Sequence, residues 1–136
     1  MVINDTENLH RMLKEARVIA VVGHSDKPFR TSYQIAQYLR NAGYKVYPVN
    51  PEIKEIDGEK SYASLAEVPE EIDIVDVFRR PEYLEGVVDQ AAKVGAKAVW
   101  AQLGVHDAEA AKKAEEEGLD MVMDRCIKID HRRLIP

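Results

Sequence analysis

The sequence predicts a single α/β domain, a Rossmann-like five-stranded parallel sheet with helices on both faces. Three observations predict it. Short apolar runs alternate with helical patterns along the whole chain. The first run, Val18 to Val22, is apolar at every position, as a strand buried on both faces requires. The chain has 136 residues, 46% of them apolar, which suits one core and one domain over residues 1–136. Right-handed crossovers with the first strand in the middle give 3-2-1-4-5 as the expected order.

The elements follow in turn. Asp5 or Thr6 can cap a first helix running to about Glu15, with Leu9, Met12 and Leu13 on one face. Val18–Val22 is the first strand. Thr31 and Gln34 have capping-box spacing, so the next helix should begin near Ser32. Ile35, Ala36, Leu39 and Ala42 form its core face, and Gly43 stops it. Tyr44 to Val49 is the second strand, ending at Asn50-Pro51. Asp57-Gly58 marks a turn, and Ser64 with Glu67 repeats the capping spacing over a short helix. Ile72 to Phe78 is the third strand. Pro81 fits the first position of a helix reaching about Val94, which Gly95 ends. Lys97 to Gln102 is the fourth strand, and Asp107 opens a helix that stops at Gly118. Leu119 to Met123 is the fifth strand. The basic tail "DRCIKIDHRRLIP" mixes charge with Ile129 and Leu134 and is expected to pack along the domain.

Composition narrows the function. The net charge is −5, a poor field for nucleic acid or anionic membrane. No apolar run is long enough to span a bilayer, and no leader pattern opens the chain, so the cytoplasm is the default location. Cys126 is the only cysteine, which excludes an internal disulfide. His10, His24, His106 and His131 show no metal-ligand spacing.

A ligand in such a sheet sits beyond the carboxyl ends of the strands. The loops gathered there carry Gly23-His24-Ser25, Asn50-Pro51, Phe78-Arg79-Arg80-Pro81 and Gln102-Leu103-Gly104. The helix starting near Ser32 turns its free N–H groups toward the first loop, which favours an anion. NAD binding is disfavoured twice over. Ser25 stands where the dinucleotide fingerprint has its second glycine, and Asn50 stands where an acid would meet the ribose hydroxyls. A neutral Asn50 tolerates a ribose that carries a phosphate, and Arg30, Arg79 and Arg80 can supply charge-assisted donors.

These residues carry a resemblance. The stretches "VVGHSDKPFRTSYQIAQYLRNAGYKVYPVNP", "GEKSYASLAEVP", "IDIVDVFRRPE", "AVWAQLGV" and "DRCIKIDHRRL" resemble, in order and spacing, the small stand-alone CoA-binding proteins. These are in turn similar to the CoA-binding domain of the succinyl-CoA synthetase alpha subunit. The resemblance implies coenzyme A or an acyl-CoA as the ligand. It implies that Gly23, His24 and Ser25 form the phosphate loop, with Arg30, Ser32 and Tyr33 near the phosphates. Asn50 and Pro51 would border the adenosine portion. Val77, Phe78 and Arg79 would line its adenine and ribose side, and Gln102, Leu103 and Gly104 the pantetheine path. The family often has a smaller residue at His24.

Plainer roles compete. Gly23 also fits a tight strand-to-helix turn, Thr31 a simple cap and Asn50-Pro51 a plain turn. Cys126 fits a spectator thiol, yet it follows the fifth strand closely enough to meet the end of a pantetheine arm. No nucleophile–base pair or carboxylate pair assembles from the motifs. The expected function is therefore a non-catalytic CoA carrier, sensor or regulatory module. The alternative is an NAD(P)-binding redox enzyme or redox sensor on the same fold.

Overall fold

The structure is a computed structural model that describes residues 1–136. Five α-helices are present, α1 (Thr6–Glu15), α2 (Thr31–Asn41), α3 (Leu84–Lys93), α4 (Ala108–Glu116) and α5 (Ile127–Leu134), with single 3-10 turns at Leu65–Glu67 and Pro81–Tyr83. Seven strands accompany them: β1 (Val18–Val22), β2 (Lys45–Val49), β3 (Glu55–Ile56), β4 (Glu59–Lys60), β5 (Ile74–Val77), β6 (Ala98–Ala101) and β7 (Asp120–Val122). No helix is long and apolar enough to cross a membrane.

The α/β class and the five-stranded parallel sheet are as expected, and the strand order is corrected. The sheet runs β2-β1-β5-β6-β7, every neighbour parallel. Counting its strands along the chain, the order is 2-1-3-4-5, not 3-2-1-4-5. The third strand pairs with β1 on the side away from β2. The outer edge of β2 explains this. Pro48 directs its carbonyl outward to the N–H of Tyr62, so its ring nitrogen, which has no hydrogen to give, faces the same way. Tyr62 completes the occupation of that edge through its carbonyl, which accepts from Asn50. The opposite edge is also covered. Ile3 donates to Met121 and Met121 to Met1 across the outside of β7.

Each face of the sheet buries its own cluster. Leu9 and Leu13 of α1, Ile35, Ala36 and Leu39 of α2, and Ile127 of α5 pack with Ile19, Val21 and Trp100. Leu84, Val87 and Val88 of α3 and Ala110 and Ala114 of α4 pack with Ala20, Val75 and Val99. The period-2 alternation of β1 and β5 therefore serves both layers. Asp5 and Asp107 cap α1 and α4 as the sequence predicts, accepting from Asn8 and Ala110. Asp57 and Gly58, both at positive φ, turn the β3–β4 hairpin. The tail forms α5 and packs against α1 and α2.

Asp76 breaks the apolar pattern of β5. It pairs in register with Val21 and Trp100, is fully buried, and neither carboxylate oxygen has a hydrogen-bond partner. Burial alone pushes its pKa well above the ordinary value of 3.8. The carboxyl is therefore a strained polar insertion into an otherwise apolar layer.

Candidate functional site

The connections reverse direction between β1 and β5, the topological switch point where open α/β sheets take their ligands. A cleft of about 570 Å3 opens there. Val22, Gly23, Val49 and Asn50 form its base; Pro51, Glu52, Ala63 and Ser64 stand on one side. Phe78, Arg79 and Arg80, with Tyr83, Gly86, Val87 and Gln90, stand on the other. A more open groove of about 660 Å3 lies beside Leu13, Tyr44 and His131, at the amino ends of β1 and β2. That is the wrong edge of a parallel sheet for the chemistry read from the loops, so the switch-point cleft is the functional candidate.

Gly23 joins β1 to its loop with φ +86°. Its N–H donates to Val49, and an added Cβ would lie 2.6 Å from the carbonyl oxygen of Phe78. Only glycine lets the loops after β1 and β5 come this close. Ser25 is held by its neighbours: its N–H donates to the Ser32 hydroxyl at 3.0 Å, and its own hydroxyl accepts from Lys27. Ser32 is thus a loop anchor as well as part of the start of α2.

The helix start differs from the sequence expectation. α2 begins at Thr31 with Arg30 at the N-cap, and no side chain caps it. The Thr31–Gln34 box does not form, because Gln34 donates its carboxamide to Pro28. The N–H groups of Thr31, Ser32 and Tyr33 consequently have no partner. Three free donors at a helix N-terminus beside a glycine turn suit a phosphate.

His24 points elsewhere. Its ring is fully buried, donating from Nδ1 to Ser25 and accepting at Nε2 from Arg40 at 3.2 Å. Those partners set the tautomer. Burial, with Arg40 adjacent, pulls its pKa down to about 4, so the ring is neutral at pH 7. Its backbone carbonyl accepts from the Asn50 carboxamide, whose oxygen takes the Glu52 N–H. Asn50 therefore stitches the loop after β1 to the loop after β2.

Of the residues singled out from sequence, Gly23, Asn50, Pro51, Phe78 and Arg79 converge on the cleft. Arg30 is exposed at the head of α2, over the Phe29 ring, and Tyr33 donates to Asp57 of the hairpin. Val77 is buried in the core beneath. Gln102, Leu103 and Gly104 form a separate group beyond β6. Gln102 accepts from Ile127, Gly104 donates to Asp124 at 2.7 Å, and Leu103 is left exposed. Cys126 is the N-cap of α5, next to that loop. Sequence reading missed Tyr83, Gly86, Gln90, Ala63 and Ser64. Pro81 opens not α3 itself but the 3-10 turn Pro81–Tyr83 that leads into it, and it was a signal for the α3 wall, since the residues one turn on must face the same loop.

The charges suit an anionic ligand. Arg79 stacks on the Tyr83 ring at 4.2 Å and pairs with no carboxylate. Arg80 has only an exposed contact with Glu82 at 3.7 Å, too weak to neutralise it. The set of free helix N–H groups, a bare glycine turn and unpaired guanidiniums fits a nucleotide with several phosphates.

Comparison with known proteins follows the same line. The sequence profile of a family described as "CoA binding domain" matches residues 17–132. The chain is 43% identical over 123 residues to the uncharacterized protein YneT of Bacillus subtilis, covering 90% of this chain and 91% of that one. It is 33% identical over 84 residues to the ADP-forming acetate–CoA ligase II subunit alpha of Pyrococcus furiosus. That match covers 61% of this chain but only 18% of the ligase subunit. A hypothetical protein from Pyrococcus horikoshii has the same fold, with 41% identity, a TM-score of 0.94 and coverage of 98% and 94% of the two chains.

Proposed function

The chain belongs to the CoA-binding domain family, and from that premise we propose that it binds coenzyme A or an acyl-CoA in the switch-point cleft. The observation that carries the reading is the meeting of Gly23, Asn50, Phe78 and Arg79 around one cleft beside an uncapped helix start. In this reading residues 1–136 form one CoA-binding domain. The N–H groups of Thr31, Ser32 and Tyr33, with Arg30, take the pyrophosphate. Arg79 and Arg80 take the ribose phosphate, and Pro51 and Phe78 border the adenosine. The pantetheine arm passes along Gln102, Leu103 and Gly104. His24 and Ser25 contribute through the loop backbone that they hold in shape.

The role proposed is to hold, sense or deliver CoA. The cleft offers donors and surfaces rather than a base set against a nucleophile. Coenzyme A supplies the thiol; the protein supplies position and charge. A side-by-side thermal-shift titration with CoA and NAD(H) tests the reading. A ligand at 100 times its dissociation constant adds about 2.7 kcal/mol of stability, so CoA should raise Tm by several degrees and NAD(H) should not. A shift with NAD(H) alone would replace this reading with the redox one.

Arg79 gives a sharper test. Arg79→Ala should weaken CoA binding by about 1.5–3 kcal/mol, the range for hydrogen bonds to charged groups. Dephospho-CoA should lose less, because the phosphate that Arg79 reads is already gone. Equal losses with both ligands in calorimetry would move Arg79 away from the ribose phosphate.

A further inference from the structure

The α3 wall of the cleft holds a glycine that the protein itself does not require. Gly86 is the third residue of α3 and has ordinary helical backbone, not the positive φ of the turn glycines. A Cβ built on it would meet nothing within 4 Å. Neither conformation nor packing therefore demands glycine, and a glycine inside a helix is less favourable than alanine. Gly86 lines the cleft together with Tyr83 and Gln90. Spacings of three and four residues put these on one stripe of the helix. On the other side of the cleft Pro51, Ala63 and Ser64, none of them long, stand beside the longer Glu52. Where the bare helix backbone at Gly86 faces those three short side chains, the cleft makes a slot that suits a flat group.

We propose that Gly86 is the seat of the heteroaromatic base of the bound nucleotide, which lies flat against α3 with the Gln90 carboxamide at its edge. This rests on the CoA reading above and adds where the base goes and what selects it. A carboxamide carries a donor and an acceptor side by side, the complement of the amino and ring-nitrogen edge of adenine. The Arg79–Tyr83 stack at 4.2 Å closes the same side of the cleft and places a cation next to the ribose.

The signature of this role is a pair of effects with opposite sign. Gly86→Ala should raise Tm by a few degrees, because the helix improves. It should also weaken CoA at least tenfold, because the methyl group takes the space of the ring. Adenosine 3′,5′-bisphosphate, which keeps the base and lacks pantetheine, should lose the same factor. Calorimetry on wild type, Gly86→Ala and Gln90→Ala reads all of this. Wild-type binding of CoA with no loss in Gly86→Ala overturns the seat and leaves the CoA reading intact. A loss for CoA but not for the bisphosphate also overturns it, since Gly86 would then lie along the pantetheine arm. If wild type binds neither ligand, the CoA reading falls and this inference falls with it.

Discussion

Valine at position 23 is expected to remove CoA binding and much of the stability of the fold together. Gly23 sits at φ +86°, where a β-branched residue is a rare outlier. Strain of that kind costs about 1–3 kcal/mol. The side chain would also start 2.6 Å from the Phe78 carbonyl, which no rotamer can relieve because backbone is the obstacle. Together the loss should reach about 3 kcal/mol or more, against a typical total of about 5–15 for a domain. Denaturant unfolding measures the first effect and CoA titration at low temperature the second. Gly23→Ala, with the same φ and the same first carbon, should show most of the stability loss. Unchanged stability in both variants would mean that the loops after β1 and β5 part easily, and that the close approach is not what glycine serves.

Removing the carboxyl at position 76 should do the reverse. Asp76→Val is expected to stabilise the protein at neutral pH by about 2 kcal/mol, the order of the cost of an unpartnered buried polar group. The pH dependence follows from the raised pKa. Below about 3.8 the group is protonated folded and unfolded, and it costs least. As pH rises, the unfolded chain releases the proton while the folded chain keeps it, so stability falls until the folded pKa is passed. His24 has the opposite slope. Its pKa is depressed to about 4 in the fold from an ordinary 6.5, so its contribution is lost as pH falls through that window. Taking the difference between wild type and Asp76→Val at each pH cancels the histidine. That difference should grow with pH from about 4 upward. A flat difference, or a variant less stable at pH 7, would show that the carboxyl has a partner and is not strained.

Particular residues show how far the sequence could be read. The strands of the sheet were visible because each is a short apolar run between turn signals, and Asp5 and Asp107 announced their helices by cap chemistry. The place of the third strand was misjudged, though Pro48 was in plain sight. A proline within a strand argues for an edge, and an interior β2 would have had to hide it. The Thr31–Gln34 spacing misled because spacing does not show which way a side chain turns: the Gln34 carboxamide donates to the Pro28 carbonyl, and Arg30 rather than Thr31 holds the N-cap position. At the site, Gly23, Asn50, Phe78 and Arg79 were legible because each follows a strand. The α3 wall was not, since Tyr83, Gly86 and Gln90 acquire meaning only when Pro51 and Ser64 are brought opposite them. The burial of His24 depended on Arg40, sixteen positions away, a pairing that no local pattern encodes.

The two sheet edges bear on how this protein keeps from sticking to itself. An open parallel sheet ends in rows of unpaired amide and carbonyl groups, and such rows recruit strands from other molecules. Here each row is shielded by a short piece of the chain's own backbone: Tyr62 against β2, and Val2 with Ile3 against β7. The shield on β7 is small and near a terminus, where fraying is easiest. Loss of those few residues would take away Ile3, whose buried side chain packs with Leu9, Leu13 and Ile127, and would bare the Met121 amide and carbonyl as a template. The cleft lies on the far side of the sheet from that edge, so the added failing of such a shortened protein would be colloidal: growth of scattering particles with time and concentration.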